Sequence, residues 1–375
     1  MKILHVISSV FKDGGGTSEV VPRLCRALQC CGHTVTLATH WADEIADTAK
    51  DAIQAGVLYE GNSRRDKFVP YSLGYSSDFN RLMPQLVANS DIVHIHCLWQ
   101  LAGWSAAREA RRQRKPYVVM PHGFLEPERL KVSKWKKYIM GTIIDRPMLD
   151  HAEAVIATSE SEADGIRRYG VKRPICIMPI GLDMDDYKVS SCKGNTLLYF
   201  SRITPIKGLD MLAAVWGKID RKGWRLLIVG PDDRGYTYKM KQLFSEKCEA
   251  GSYEFRNPVF GKDKFELLSS ADAFILPTRS ENWSIAVAEA MASGLPVICT
   301  KGAPWECLNQ VNAGWWVDVS ESGLIKGLEA LFSLSEIERC EFGGRGRTWV
   351  ESNLGWEVIA DKMTQCYSDI VNQQK

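Results

Sequence analysis

Four side chains in the second half of the sequence have the types and spacing to grip an activated, anionic substrate. Glu281 and Glu289 bracket Asn-Trp-Ser-Ile-Ala-Val-Ala, with seven residues between them. Arg202 and Lys207 bracket Ile-Thr-Pro-Ile, and Gly208 follows. A guanidinium can hold two phosphate oxygens at once, and an ammonium adds a point charge. A carboxylate can accept hydrogen bonds from a ribose diol, as acidic residues do in nucleotide folds, or from the hydroxyls of a sugar. Two phosphates, a ribose and a sugar make a nucleotide-sugar. Taken singly, each of these residues is more often a solvated surface charge. Their joint placement is what points to a ligand.

The first half carries all seven histidines, every one before residue 152. His94 and His96 stand two apart in Asp-Ile-Val-His-Ile-His and so share one face of a strand. The pair invites a metal reading, but the sequence offers no third ligand at metal spacing. We read core or cleft histidines and expect no metal. His122 follows an apolar run over 116–120 and would sit at the carboxyl end of a parallel strand, where ligands bind. There it can hydrogen-bond a sugar hydroxyl or stabilise developing charge, or it can be structural. Gly14, Gly15 and Gly16 form a turn that lets backbone N–H groups approach a phosphate, although the spacing is not that of a dinucleotide loop. Asp183, Asp185 and Asp186 are read as turn residues beside a hinge rather than as metal ligands.

These residues need loops at the edge of a sheet. The run 274–276 is short and apolar, as a buried strand is, and 277–282 is a polar loop. Residues 284–293 read as an Ala-rich helix stopped by Gly294 and Pro296, and 295–299 as the next strand. The first helical turn, 283–286, would offer unpaired N–H groups and a partial positive charge to a phosphate. Strands are expected at 3–8, 34–39, 91–96, 116–120, 153–158, 175–178, 196–201, 225–229, 253–256 and 314–317, with an edge strand at 68–70. Helices are expected at 18–30, 78–89, 161–169, 208–219 and 356–370. The alternation predicts an α/β chain with parallel sheets, and the polar stretch 190–195 is a linker between two domains.

At 375 residues the chain is long enough for two good cores. A net charge of +2 argues against a nucleic-acid partner. The balance is uneven, however: residues 101–140 hold ten Lys and Arg against three Asp and Glu. Arg108, Arg111, Arg112, Arg114 and Lys115 form one cluster, and 129–138 interleaves Lys and Arg with Trp and Tyr. This is either a solvated face or a surface for docking on anionic lipid. Eleven scattered cysteines without a C-x2-C pair read as reduced thiols. With a strand at the very start and no apolar run of membrane length, a cytoplasmic protein is expected, possible as a peripheral one at the inner membrane face.

Residues 277–296 resemble the E-x7-E motif of glycosyltransferase family 4, and the chain is similar to that family's bacterial polysaccharide-biosynthesis members. The resemblance implies the GT-B fold: two Rossmann-like parallel-sheet domains facing a cleft, with a C-terminal helix crossing back to the first. That gives an acceptor domain over 1–185 with 356–375, and a donor domain over 193–352. It implies a retaining transferase that uses a nucleotide-sugar and a saccharide or lipid-linked saccharide acceptor. Gly15 and Gly16 would reach donor phosphate and acceptor, and His122 would face the acceptor. Arg202 and Lys207 fall on the family's phosphate-binding Arg and Lys. Glu281, Asn282, Trp283, Ser284, Ile285 and Glu289 would meet the donor, and backbone near Val259 would read the base. Ser201 replaces the family's usual Gly, and Ile180 stands where Asn is usual. No side chain stands out as a covalent nucleophile, so a front-face mechanism is favoured, in which the leaving phosphate oxygen deprotonates the acceptor. Arg202, Lys207 and a helix start would neutralise that leaving group without a metal or cofactor. The alternatives are a GT-B nucleotide-sugar epimerase and a non-catalytic nucleotide-sugar-binding scaffold.

Overall fold

A computed structural model describes residues 1–11, 16–40, 44–61, 76–125, 140–191 and 194–373. The chain forms two compact units, one of residues 1–181 with 356–375 and the other of residues 182–355. Among its described residues the first contains seven strands: β1 (Lys2–Val6), β2 (Thr34–Ala38), β3 (Leu58–Glu60), β4 (Ile92–His96), β5 (Tyr117–Met120), β6 (Ala154–Ala157) and β7 (Ile175–Ile177). They pair in parallel in the order β3-β2-β1-β4-β5-β6-β7. Every residue of β4, β5 and β6 is buried, because helices cover both faces of a parallel sheet.

Alternate residues of each strand feed the two cores. Ile3, Val35, Ile92, Val118 and Ile156 pack on one side with Leu24 and Leu28 of the helix Gly16–Cys30 and with Ile359, Met363 and Tyr367 of the terminal helix Trp356–Asn372. Leu4, Val6, Val93, Ile95, Val119 and Val155 pack on the other with Ala102, Ala106 and Ala110 of the helix Leu101–Arg112. Small residues let that last helix lie close: a Cβ on Gly103 would meet the Ile95 side chain at 2.7 Å. Among the described residues β3 is one edge of the sheet, formed by a Leu-Tyr-Glu stretch that no sequence pattern marked. The expected edge strand at 68–70 and the basic stretch 129–138 lie outside the described residues.

The second unit contains β8 (Thr196–Phe200), β9 (Arg225–Val229), β10 (Tyr253–Arg256), β11 (Ala273–Leu276), β12 (Val297–Thr300) and β13 (Gly314–Val317). All pair in parallel, in the order β10-β9-β8-β11-β12-β13. Two parallel-sheet units are what the strand–helix alternation of the sequence predicts. Among the described residues no helix is long and apolar enough to cross a membrane.

The helix Glu336–Leu354 contains Gly343, Gly344 and Gly346, which propensity counts against helix. Its start is fixed by a capping box, in which Ser335 and Glu338 satisfy each other's backbone N–H. Its glycines are packing residues. Gly343 lies so close to the Gly294 carbonyl that a Cβ there would collide with it, whereas Gly344 is exposed with nothing within 4 Å. Arg347 ties the helix down by donating to the carbonyls of Tyr187 at 2.8 Å and Ala292 at 2.6 Å. Two neighbouring substitutions should therefore have opposite signs. Gly344→Ala should stabilise by up to about 1 kcal/mol through helix propensity. Gly343→Ala should destabilise by about 1–3 kcal/mol through overpacking. Urea unfolding of both variants checks this.

Candidate functional site

In the second unit, β8 runs on to β9 on one side and β11 to β12 on the other. The loops that follow β8 and β11 therefore part at the carboxyl edge, which is where open parallel sheets bind ligands. Arg202 and Lys207 lie on the first loop, and Glu281 lies on the second. The loops are knitted together by backbone and side-chain bonds. Arg279 N donates to Ile206 O at 2.7 Å and Thr278 Oγ1 to the same oxygen at 3.1 Å. The Arg279 guanidinium grips both Asp210 carboxylate oxygens at 2.8 Å. Gly208, at φ +71°, runs so close to Pro277 O that any Cβ would collide with it.

Lys207 is only 9% exposed and its Nζ is ion-paired with Glu281 Oε1. Burial, with the Arg202 charge adding to it, lowers the Lys207 ammonium to about 8. Arg202 itself is exposed. Glu281 also donates its backbone N–H to Gly302 O at 2.7 Å, which fixes the loop against the end of β12.

Glu289 is 5% exposed, inside the helix Ile285–Ala292. Its Oε1 accepts from Lys264 Nζ at 2.7 Å and from the Tyr187 hydroxyl at 3.2 Å. Neither partner was singled out from the sequence. Lys264 lies 25 positions away and Tyr187 lies 102, and no local pattern connects them to the glutamate. The helix begins later than expected. Ser284 stands before it in the left-handed region at φ +66°, so Trp283 and Ser284 belong to the loop and the first N–H groups are those of Ile285 onward. A strained residue at a helix start re-aims the chain there. Trp283 is buried, and its carbonyl accepts from the Trp305 indole at 2.5 Å with ring centroids 4.7 Å apart. Asn282 is half-buried and Ile285 is exposed. Val259 is half-buried in the stretch that follows β10, just before the helix Lys262–Ser270 that carries Lys264.

In the first unit, four histidines meet. Parallel pairing sets His5 of β1 opposite His94 of β4. His5, His94 and His96 bring one nitrogen each within 4.8 Å of the others. The third histidine that the spacing of β4 lacked thus comes from the neighbouring strand. His5 Nδ1 bonds His96 Nε2 at 2.9 Å, and His96 Nδ1 bonds His122 Nε2 at 2.9 Å. His94 Nδ1 bonds the Tyr367 hydroxyl at 2.6 Å. Burial drives all four towards the neutral form: His5 to about 3, His122 to about 4, and His94 and His96 well below the usual histidine range. His122, just past β5, is held in the left-handed region at φ +56°. The buried Glu162 carboxylate pins this turn, accepting from Gly123 N on one oxygen and from Thr158 N and Oγ1, both at 2.7 Å, on the other. Gly16 opens the helix Gly16–Cys30 in open space, while Gly15 lies outside the described residues.

Residues 14–186 match the model of Glycosyltransferase Family 4, and residues 194–333 match that of Glycosyl transferases group 1. The chain is 25% identical over 358 residues to the GDP-mannose:cellobiosyl-diphosphopolyprenol alpha-mannosyltransferase of Xanthomonas campestris, covering 92% of this chain and 90% of that protein. It is 22% identical to the D-inositol 3-phosphate glycosyltransferase of Xylanimonas cellulosilytica, covering 96% of this chain and 93% of that protein. Among solved structures it superposes on Anabaena HepE in complex with UDP and glucose with a TM-score of 0.74 at 17% identity, covering 98% of this chain and all of HepE. Sucrose-phosphate synthase from Thermosynechococcus elongatus gives 0.73 at 18% identity, with full coverage of both chains.

The depressed Lys207 sets a stability signature. Between about pH 8 and the usual lysine value of 10.5, the unfolded chain holds a proton that the folded chain lacks. Stability should therefore rise with pH in that window, by up to about 1.4 kcal/mol per unit, relative to Lys207→Met. Urea unfolding of both proteins across that range reads the difference. A constant difference would place the Lys207 pKa outside the window.

Proposed function

Because the chain belongs to the glycosyltransferases of the family 4 type, we propose that it moves a sugar from a nucleotide-diphosphate donor to the hydroxyl of a saccharide or lipid-linked saccharide, with retention, in surface-polysaccharide synthesis. The observation that carries this reading is a buried lysine ion-paired with a glutamate at the crevice of the second sheet, with Arg202 at the start of the same loop. A departing nucleoside diphosphate gains negative charge as the glycosidic bond breaks. Lys207, Arg202 and the N–H groups at Ile285 would neutralise it from fixed positions, which is more effective than reorganising water. Glu281, sharing Lys207 with the phosphates, would accept from sugar hydroxyls. Glu289, already oriented by Lys264 and Tyr187, would accept from the ribose diol through its other oxygen.

On this reading the bond from the anomeric carbon to the phosphate oxygen breaks, and a bond to the acceptor oxygen forms on the same face. The acceptor proton passes to the leaving phosphate oxygen, so neither a covalent nucleophile nor a metal is required. His122 would meet an acceptor hydroxyl. The Gly15–Gly16 turn would contribute backbone N–H groups, and backbone near Val259 would meet the base. The Xanthomonas relative is named for GDP-mannose and HepE was solved with UDP, so guanosine and uridine donors are the first to try. We further propose that the basic face formed by Arg108, Arg111, Arg114 and Lys115, together with 129–138, docks on anionic lipid at the cytoplasmic membrane surface. Arg112 on that face is partly neutralised by Glu109 at 2.6 Å.

A thermal-shift screen across UDP-, GDP- and ADP-sugars should give one clear rise in melting temperature. With that donor, Lys207→Ala and Glu289→Ala should each weaken calorimetric affinity at least about tenfold, the scale of a lost charged hydrogen bond. Unchanged affinity in both would remove the assignment. The kcat/KM for donor should fall as pH rises through about 8, where free Lys207 loses its proton, and Lys207→Arg should flatten that limb. Flotation with phosphatidylglycerol vesicles at low salt tests the lipid surface, and a protein left at the bottom of the gradient would end that part of the proposal.

A further inference from the structure

Desolvation favours the neutral form of His5, His96 and the half-buried His122, and a neutral ring has one N–H and one lone pair to offer. A chain of three such rings can point in only two directions. In one, His5 Nδ1–H donates to His96 Nε2, and His96 Nδ1–H donates to His122 Nε2, each at 2.9 Å. His122 then carries its own proton on Nδ1. In the other, both bonds reverse, His122 is protonated on Nε2, and His5 must hold its proton on Nε2. The surroundings of His5 decide between them. His5 is fully enclosed, and among the described residues its Nε2 has no hydrogen-bond partner. A buried N–H with no acceptor forfeits a hydrogen bond that water would have made, and such orphaned donors are rarer in folded proteins than under-used acceptors. The first direction leaves only a bare lone pair at that point.

We propose that His5 is a positioning residue: acting through His96, it fixes His122 as the Nδ1–H tautomer. His122 then presents a donor N–H, not a basic lone pair, to the group it meets. In functional terms this deepens the acceptor role proposed above for His122 and rests on it, since a hydrogen-bond donor can hold a hydroxyl oxygen but cannot take its proton. That agrees with a leaving phosphate as the proton's destination. His94 does not compete for the chain. It stacks on His96 at 4.1 Å, but its bonded nitrogen is engaged with Tyr367 of the terminal helix. A cation held by the three strand histidines, which bring one nitrogen each within 4.8 Å of one another, is the rival occupant of this cluster.

Long-range nitrogen–proton correlation spectra of the full chain labelled with 15N-histidine report which ring nitrogen carries each proton, with His122 assigned from the signals lost in His122→Gln. The expected result is a wild-type His122 protonated on Nδ1. His5→Phe keeps a ring in the core but removes the donor, and it should move His122 to the Nε2–H form or a mixture. His5→Asn offers an amide N–H near the position of Nδ1, and it should restore the Nδ1–H form. A wild-type His122 protonated on Nε2 overturns the proposal, as does a folded His5→Phe variant with an unchanged His122 pattern. One histidine-bound metal ion per chain in the purified protein overturns it too. The wild-type spectrum decides the tautomer even if His5→Phe fails to fold. Calorimetry of the wild type with nucleotide-sugars tests the transferase reading separately, so failure of one is distinguishable from failure of the other.

Discussion

Removing a lysine ammonium from water costs several kcal/mol unless it is paired and hydrogen-bonded, and Lys207 is almost wholly removed. Much of the carboxyl edge of the second sheet is arranged around that charge. Glu281 supplies the counter-charge from the neighbouring loop. The bonds from Arg279 and Thr278 to Ile206, and the close approach of Gly208 to Pro277, hold the two loops where the pair can form. Burial still leaves the lysine closer to neutrality than a surface lysine. A lysine held in this way is kept charged more readily when a further anion stands beside it. Groups that bind or react are commonly held at such a disadvantage by the rest of the fold.

The first unit handles its polar core differently. It buries no charge among its histidines. Stacked imidazoles across β1 and β4, and the turn after β5, are kept neutral by desolvation and are satisfied largely by one another and by Tyr367. One step away, the Glu162 side chain holds the His122 turn in a conformation that a side chain rarely adopts. A rigid neutral chain ending at a strand terminus suits a role in hydrogen bonding. A paired lysine and glutamate on knitted loops suit a role in charge stabilisation. The two units thus present complementary chemistry on similar parallel sheets.

Hydrophobic period and breaker residues marked nearly every strand, because buried parallel strands read as short apolar runs between Gly- and Pro-bearing loops. They failed where side chains were too few or too ambiguous. β3 has three residues, two of them exposed. The helix Glu336–Leu354 carries glycines whose purpose is close packing, and propensity counts them against helix. Likewise, the start of the helix at Ile285 was placed too early. Ser284 is an ordinary cap residue by type, and nothing local shows that its backbone turns left-handed.

Residue type and short-range spacing alone determined that the chain is an α/β protein with two parallel-sheet halves, and that Arg202, Lys207 and Glu281 lie on loops after strands, with Glu289 inside the helix that follows. These are local properties, set by periodicities of two and 3.6 residues and by the chemistry of single side chains. Only the tertiary structure decided who partners whom. Strand order put the Lys207 and Glu281 loops side by side, brought Lys264 and Tyr187 to Glu289, and set His5 opposite His94. Those pairings span tens to hundreds of residues, and a hydrogen bond leaves no trace in sequence until the fold closes the distance.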